Sequence, residues 1–140
     1  MDIKFAKTDQ DIIKCWKAVK ELRPHLHEDD FPTIIKEMLS EGYHLAFIEE
    51  DEIAASIIGF RYQQYLFNGK HIYIDDLSTL PMYRGKGYGG KLLDYVFDYA
   101  IEKGYSVVTL DSGYHRIDAH RLYLNKGFTI SSHNFTKKLN

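Results

Sequence analysis

The run Tyr83-Arg84-Gly85-Lys86-Gly87-Tyr88-Gly89-Gly90 constrains this chain more than any other segment, because it sets glycine at every position but two of residues 85–90, between a β-branched run and a strongly helical one. Glycines let the backbone turn sharply and approach a ligand. A helix starting directly behind them aims its unpaired N–H groups and the positive end of its dipole at the same point. Such a place suits phosphate. Arg84 and Lys86 add positive charge at the rim, which a loop serving only to turn the chain would not need.

Gly85-Lys86-Gly87-Tyr88-Gly89-Gly90 also spells G-x-G-x-x-G, with Asp111 about 20 residues further on, the spacing of a dinucleotide fingerprint. The upstream spacing argues against that fold. A dinucleotide loop follows its strand at once, whereas here the predicted strand ends near Thr79 and Leu80-Pro81-Met82-Tyr83-Arg84 intervene. A chain of 140 residues also lacks room for paired mononucleotide halves and a substrate domain. No Gly-Lys-Ser or Gly-Lys-Thr closes the loop, so a Walker site is excluded as well.

With 44% hydrophobic and 14% aromatic residues, residues 1–140 suit one well-cored α/β domain. A net charge of -2 supplies no basic field for nucleic acid. The lone cysteine, Cys15, lies in a helical pattern beside Trp16, which predicts a buried thiol in a reducing compartment. Met1-Asp2-Ile3-Lys4 lacks the regions of a secretory leader, and no apolar run is long enough to cross a bilayer. The expectation is a cytoplasmic chain with no membrane partner. The 7 histidines show no H-E-x-x-H spacing, so no metal is expected. Asp111-Ser112-Gly113 with His115 has no nucleophile elbow and is too local for a triad.

The periodicity predicts a strand over 3–6 and a helix capped by Asp9 or Asp11 that carries Ile12, Ile13, Trp16, Val19 and Leu22, ending at Arg23-Pro24. A second helix opens at Phe31-Pro32 and stops at Gly42. Strands follow over 44–48 and 53–65, around the acidic turn Glu49-Glu50-Asp51-Glu52, and Asn68-Gly69 signals a hairpin into a strand over 72–79. Leu92, Leu93, Val96, Phe97, Ala100 and Ile101 recur at helical spacing up to Gly104. The β-branched run 107–110 reads as a buried parallel strand, 118–126 as a short helix, and 128–130 with 133–137 as a closing hairpin. Together these make a mixed α/β sheet, mostly antiparallel, with a central parallel crossover and flanking helices.

In this setting the residues resemble the GNAT superfamily, the acetyl-CoA-dependent N-acetyltransferases. Their pyrophosphate loop runs Arg or Gln, two residues, Gly, one residue, then Gly or Ala, and Arg84-Gly85-Lys86-Gly87-Tyr88-Gly89 is similar to it. Pro81-Met82-Tyr83-Arg84-Gly85 resembles the family's Pro-x-Tyr-Arg-Gly, and residues 119–128 resemble its Ala-x-x-x-Tyr-x-x-x-Gly-Phe helix. The strong part of the resemblance spans residues 72–128. It implies acetyl-CoA as cosubstrate: the backbone of Leu77, Ser78 and Thr79 would pair with the pantetheine arm, and Arg84, Gly85, Lys86, Gly87, Tyr88, Gly89 and Gly90 would hold the pyrophosphate.

An alkylamine is almost wholly protonated at neutral pH, so amine acetylation needs a base. Asp75 is the first candidate and Asp76 the second. Consecutive strand residues point to opposite faces, which leaves at most one facing the acceptor. The resemblance implies Tyr123 as the acid that protonates the departing thiolate, a phenol near pKa 10 beside a thiol near 8.5. Arg116 stands where many relatives carry an Asn that touches the pantetheine arm, so the resemblance implies other donors there, with His115 and Arg116 as candidates. The expected acceptor is an amine-bearing small molecule or peptide, met by residues 23–29, by 62–65 and by the segment around His133. The acidic residues favour a cationic amine, whereas Arg23 would suit an acceptor that also bears a carboxylate or phosphate. The same residues leave open a non-catalytic acyl-CoA-binding module, and they leave open a homodimer.

Overall fold

Thr8 opens the first helix, one step upstream of the expected caps. Its hydroxyl accepts the Asp11 N–H at 3.1 Å, while Asp11 Oδ2 accepts the Lys7 N–H at 3.4 Å. The computed structural model describes residues 2–140. Helix α1 (Asp9–Leu22) buries Ile12, Cys15, Ala18 and Val19 and ends at Arg23, ahead of Pro24. Phe31-Pro32 starts α2 (Phe31–Ser40), since proline at a first helical position loses no bond there, and Gly42 at φ 98 follows its end. Burial pushes the Cys15 thiol well up, so it stays protonated and inert.

Among the described residues five strands form one sheet in the order β1 (Ile3–Phe5), β2 (Tyr43–Glu50), β3 (Ile53–Tyr65), β4 (Gly69–Thr79) and β5 (Val108–Leu110). All pairs are antiparallel except β4 with β5. Helix α3 (Tyr88–Glu102) makes the crossover between those two. Phe5 and Phe60 meet the Tyr99 ring of α3 on one face, and the strand residues of opposite parity, Tyr43 and Arg61, lie on the face of α1. Covered on both faces, β2 and β3 bury long apolar runs, among them Leu45, Phe47, Ile48, Ile57, Ile58 and Phe60. Each such side chain contributes roughly 1.5–3 kcal/mol on burial.

The β2–β3 turn sets Asp51 (φ 55) and Glu52 (φ 65) in the left-handed region that two-residue hairpins require. Tyr83 holds this turn by donating its hydroxyl to Asp51 Oδ2 at 2.6 Å. That bond raises the phenol to about 12.

The chain up to Leu110 is one compact unit and Asp111–Asn140 a second. The second contains α4 (Ile117–Asn125), closed at Gly127 (φ 92) by the Phe128 N–H on the Tyr123 carbonyl. The hairpin expected over 128–130 and 133–137 is absent: residues 128–140 contain no strand. Ser131-Ser132-His133-Asn134 interrupts the apolar positions, and Ile130 (83%) and Phe135 (93%) stand exposed, so no buried face rewards pairing. Among the described residues no helix is long and apolar enough to cross a membrane.

Candidate active site at the fork of the sheet

Strand β4 pairs with β3 from Gly69 to Thr79, but β5 meets it only at Ile72, Tyr73 and Ile74. Beyond Ile74 the outer edge of β4 has no strand partner among the described residues. Its outward N–H and C=O groups are therefore open to an extended chain. Leu77, Ser78 and Thr79 all lie on this stretch. The Thr79 carbonyl accepts Arg84 Nε at 3.1 Å, and the Thr79 hydroxyl meets Ser56 Oγ at 2.8 Å.

A 3-10 turn (Pro81–Tyr83) then leads into the glycine loop, where Gly85 (φ 83) and Gly87 (φ 81) take left-handed backbone. A Cβ at either glycine would have no atom within 4 Å, so these positions serve backbone shape and an uncovered surface, not packing. The Lys91 N–H bonds the Gly87 carbonyl at 3.0 Å, which leaves the N–H groups of Tyr88, Gly89 and Gly90 ahead of the helical ladder of α3. Arg84 pairs with Glu21 at 3.3 Å and Lys86 with Glu50 at 3.1 Å. The Tyr88 hydroxyl also donates to Glu50, and that bond, followed by Lys86, holds the Glu50 carboxyl below its ordinary range. Exposed pairs of this kind contribute about 0–1 kcal/mol, so either base can turn to a phosphate at little cost. An unpartnered strand edge running into a glycine cradle at a helix N-terminus fits the arm and pyrophosphate of acetyl-CoA.

Asp75 and Asp76 do not face opposite ways. Gly59 opposes Asp76 and Phe60 opposes Ile74, so Asp75 is the extra residue of a β-bulge and the alternation breaks there. Both carboxylates join one network. Arg61 grips Asp75 through Nε to Oδ1 and Oδ2 (3.1 Å each), with a terminal nitrogen at 2.9 Å from Oδ2. Tyr43 donates its hydroxyl to Asp76 Oδ2 at 2.7 Å, and Arg23 reaches Asp76 Oδ1 through Nε at 3.1 Å. Arg61 also stacks on the Tyr43 ring at 5.4 Å. Burial pushes the Asp75 carboxyl above its ordinary value, against the opposing pull of Arg61. Burial and then Asp76 push the Tyr43 phenol well up, so it remains a donor. Arg23, expected among the acceptor-facing residues, donates to Asp76 and to the Asp75 carbonyl through Nε and one terminal nitrogen.

Sequence reasoning missed Arg61, Tyr43 and Gly59. One signal was available: glycine inside the apolar run Ile57-Ile58-Gly59-Phe60 marks a close approach, and a Cβ there would lie 1.7 Å from the Tyr43 hydroxyl.

In the second unit Tyr123 sits on α4, its ring 5.7 Å from that of Phe128. Burial pushes the phenol up while Arg116 opposes the shift. A raised phenol stays protonated at neutral pH and so keeps a proton to donate. Arg116 takes the N-cap position of α4 and provides no side-chain cap there.

This architecture and these motifs agree with the sequence comparison. The model of the Acetyltransferase (GNAT) family matches residues 9–128, and the chain belongs to that family. It is 36% identical over 124 residues to the uncharacterized N-acetyltransferase YhdJ of Bacillus subtilis, covering 87% of each chain. It is 30% identical over 103 residues to an aminoalkylphosphonate N-acetyltransferase of Salmonella typhimurium, covering 73% of this chain and 67% of that one. A solved transcriptional regulator from Bacillus halodurans superposes with a TM-score of 0.84 at 20% identity over 99% of both chains, a likeness of fold alone. The protein is thus a GNAT-fold member whose relatives are named for acetyl transfer to nitrogen.

Proposed function

We propose that this chain is a cytoplasmic enzyme that transfers the acetyl group of acetyl-CoA directly to a primary amine of a small molecule or peptide. The observation that carries this reading is the open edge of β4 beyond Ile74, continuous in sequence with the glycine loop and the N-terminus of α3. The backbone of Leu77, Ser78 and Thr79 holds the arm, and residues 84–90 hold the pyrophosphate through N–H groups and the two rim bases. Bound acetyl-CoA supplies an acyl group made reactive toward amines by its thiolate leaving group. Asp75 takes the acceptor's proton, directly or through water, with Asp76 as the alternative. Tyr123 protonates the departing thiolate, a role assigned by its place in the Ala-x-x-x-Tyr motif.

The ion pairing of both aspartates favours one rival, a module that binds acyl-CoA without turnover. Thiol release from acetyl-CoA, measured against amines, amino acids and peptides, separates the two. Amine-dependent release is expected; tight CoA binding with no release toward any amine establishes the rival.

A further inference from the structure

Around the β4 bulge, Arg61 and Arg23 balance Asp75 and Asp76, so the cluster carries no net charge. Such a site is poorly matched to an acceptor that is only cationic. Its charge would meet a partly buried cluster in which both carboxylates are already ion-paired. An acceptor with an ammonium and an oxyanion can instead exchange partners with an existing ion pair and leave the total charge unchanged.

Arg23 is the residue placed for that exchange. Its side chain is 39% exposed, against 28% for Arg61, 21% for Asp75 and 15% for Asp76. Arg61 grips both oxygens of Asp75 through Nε and one terminal nitrogen. Arg23 meets only one carboxylate oxygen: Nε at 3.1 Å and a terminal nitrogen at 3.0 Å converge on Asp76 Oδ1, and that terminal nitrogen also donates to the Asp75 carbonyl at 2.9 Å. The second terminal nitrogen of Arg23 makes no hydrogen bond among the described residues, so donors remain for a ligand. The loop that carries it is built. Lys20 Nζ donates to the Pro24 carbonyl at 2.6 Å and the Leu26 carbonyl at 2.8 Å, which secures the chain directly after Arg23 and commits that lysine to the backbone.

We infer that the amine acceptor is itself zwitterionic, with a carboxylate or phosphonate a few bonds from its amine, and that Arg23 binds this oxyanion while an aspartate of the bulge meets the ammonium. The inference rests on the acetyltransferase reading above and narrows its substrate class. An arginine fork suits either oxyanion, so the two sources must be separated by experiment.

The test is kcat/KM by thiol release for 3-aminopropanoate, 2-aminoethylphosphonate, propylamine and 1,3-diaminopropane, with the wild type, Arg23→Gln and Arg23→Lys. The wild type should prefer an acid-bearing amine over both acid-free ones by roughly 10- to 100-fold, the effect of one charged hydrogen-bonded contact. The better of the two acids identifies the source. Arg23→Gln should erase that preference mainly through KM, and Arg23→Lys should keep part of it. If loss of Arg23 prevents folding, as seen by circular dichroism, the wild-type panel and Arg23→Lys still decide. Equal or better wild-type turnover of propylamine or diaminopropane overturns the inference and leaves the transferase reading standing. A preference unchanged in Arg23→Gln overturns the role of Arg23. No release with any amine overturns the transferase reading, and the inference with it.

Discussion

At the scale of single residues, the base role proposed for Asp75 ties the pH profile to the environment of that carboxyl. Burial raises its carboxyl and Arg61 only partly opposes the shift, so the acidic limb of kcat/KM should lie above the range of an ordinary carboxylate, with activity rising as pH climbs through it. Folding runs the opposite way: a carboxyl raised in the native state favours the fold at low pH and costs stability as pH rises through its folded value. Asp75→Asn should lower kcat/KM by about 10² to 10⁴-fold and remove that limb. The deficit should shrink toward the amine's own pKa, where no base is needed; a deficit constant over that range would assign Asp75 to charge attraction alone. Gly59 supports the same network by leaving room for the Tyr43 hydroxyl, 1.7 Å from where a Cβ would stand. Gly59→Ala should displace Tyr43 from Asp76 and cost about 1–3 kcal/mol, read as a lower urea midpoint. An unchanged midpoint would mean that the ring moves aside freely.

At the scale of elements, the glycine loop separates folding from cofactor binding. Gly87 has open space around it but a φ of 81, so valine there meets strain and no clash. The strain costs roughly 1–2 kcal/mol, and the variant should remain folded. Its side chain would hold phosphates off the α3 N–H groups, so Gly87→Val should lose CoA affinity in titration calorimetry while keeping that for dephosphorylated pantetheine. Equal wild-type affinity for the two ligands would remove the pyrophosphate from this loop. The elements most legible in the sequence were those specified locally. Phe31-Pro32, Gly104 and the 3.6-residue apolar stripe of α3 act within a few residues and predicted their helices closely. Residues 128–137 predicted a hairpin wrongly, because pairing there depends on a partner surface and not on β propensity.

At the scale of the whole molecule, a ligand that binds only the folded chain must stabilise it. CoA at about 100 times its dissociation constant should add about 2.7 kcal/mol, seen as a rise in Tm that Gly87→Val lacks. No shift for the wild type at millimolar CoA would count against the cofactor site. The glycine loop, the helix behind it and the strand before it were determined by the sequence alone, because glycine conformation, dipole and periodicity are properties of short segments. Only the tertiary structure decided that β5 leaves β4 after Ile74, opening the edge at Leu77, Ser78 and Thr79. It also decided that a bulge turns Asp75 and Asp76 into one network with Arg61, Tyr43 and Arg23. Arg23 and Asp76 are 53 positions apart, and no local rule relates them. Their contact exists because α1 ends over the face of β4, and the ion pairing that results is what the acceptor preference proposed above rests on.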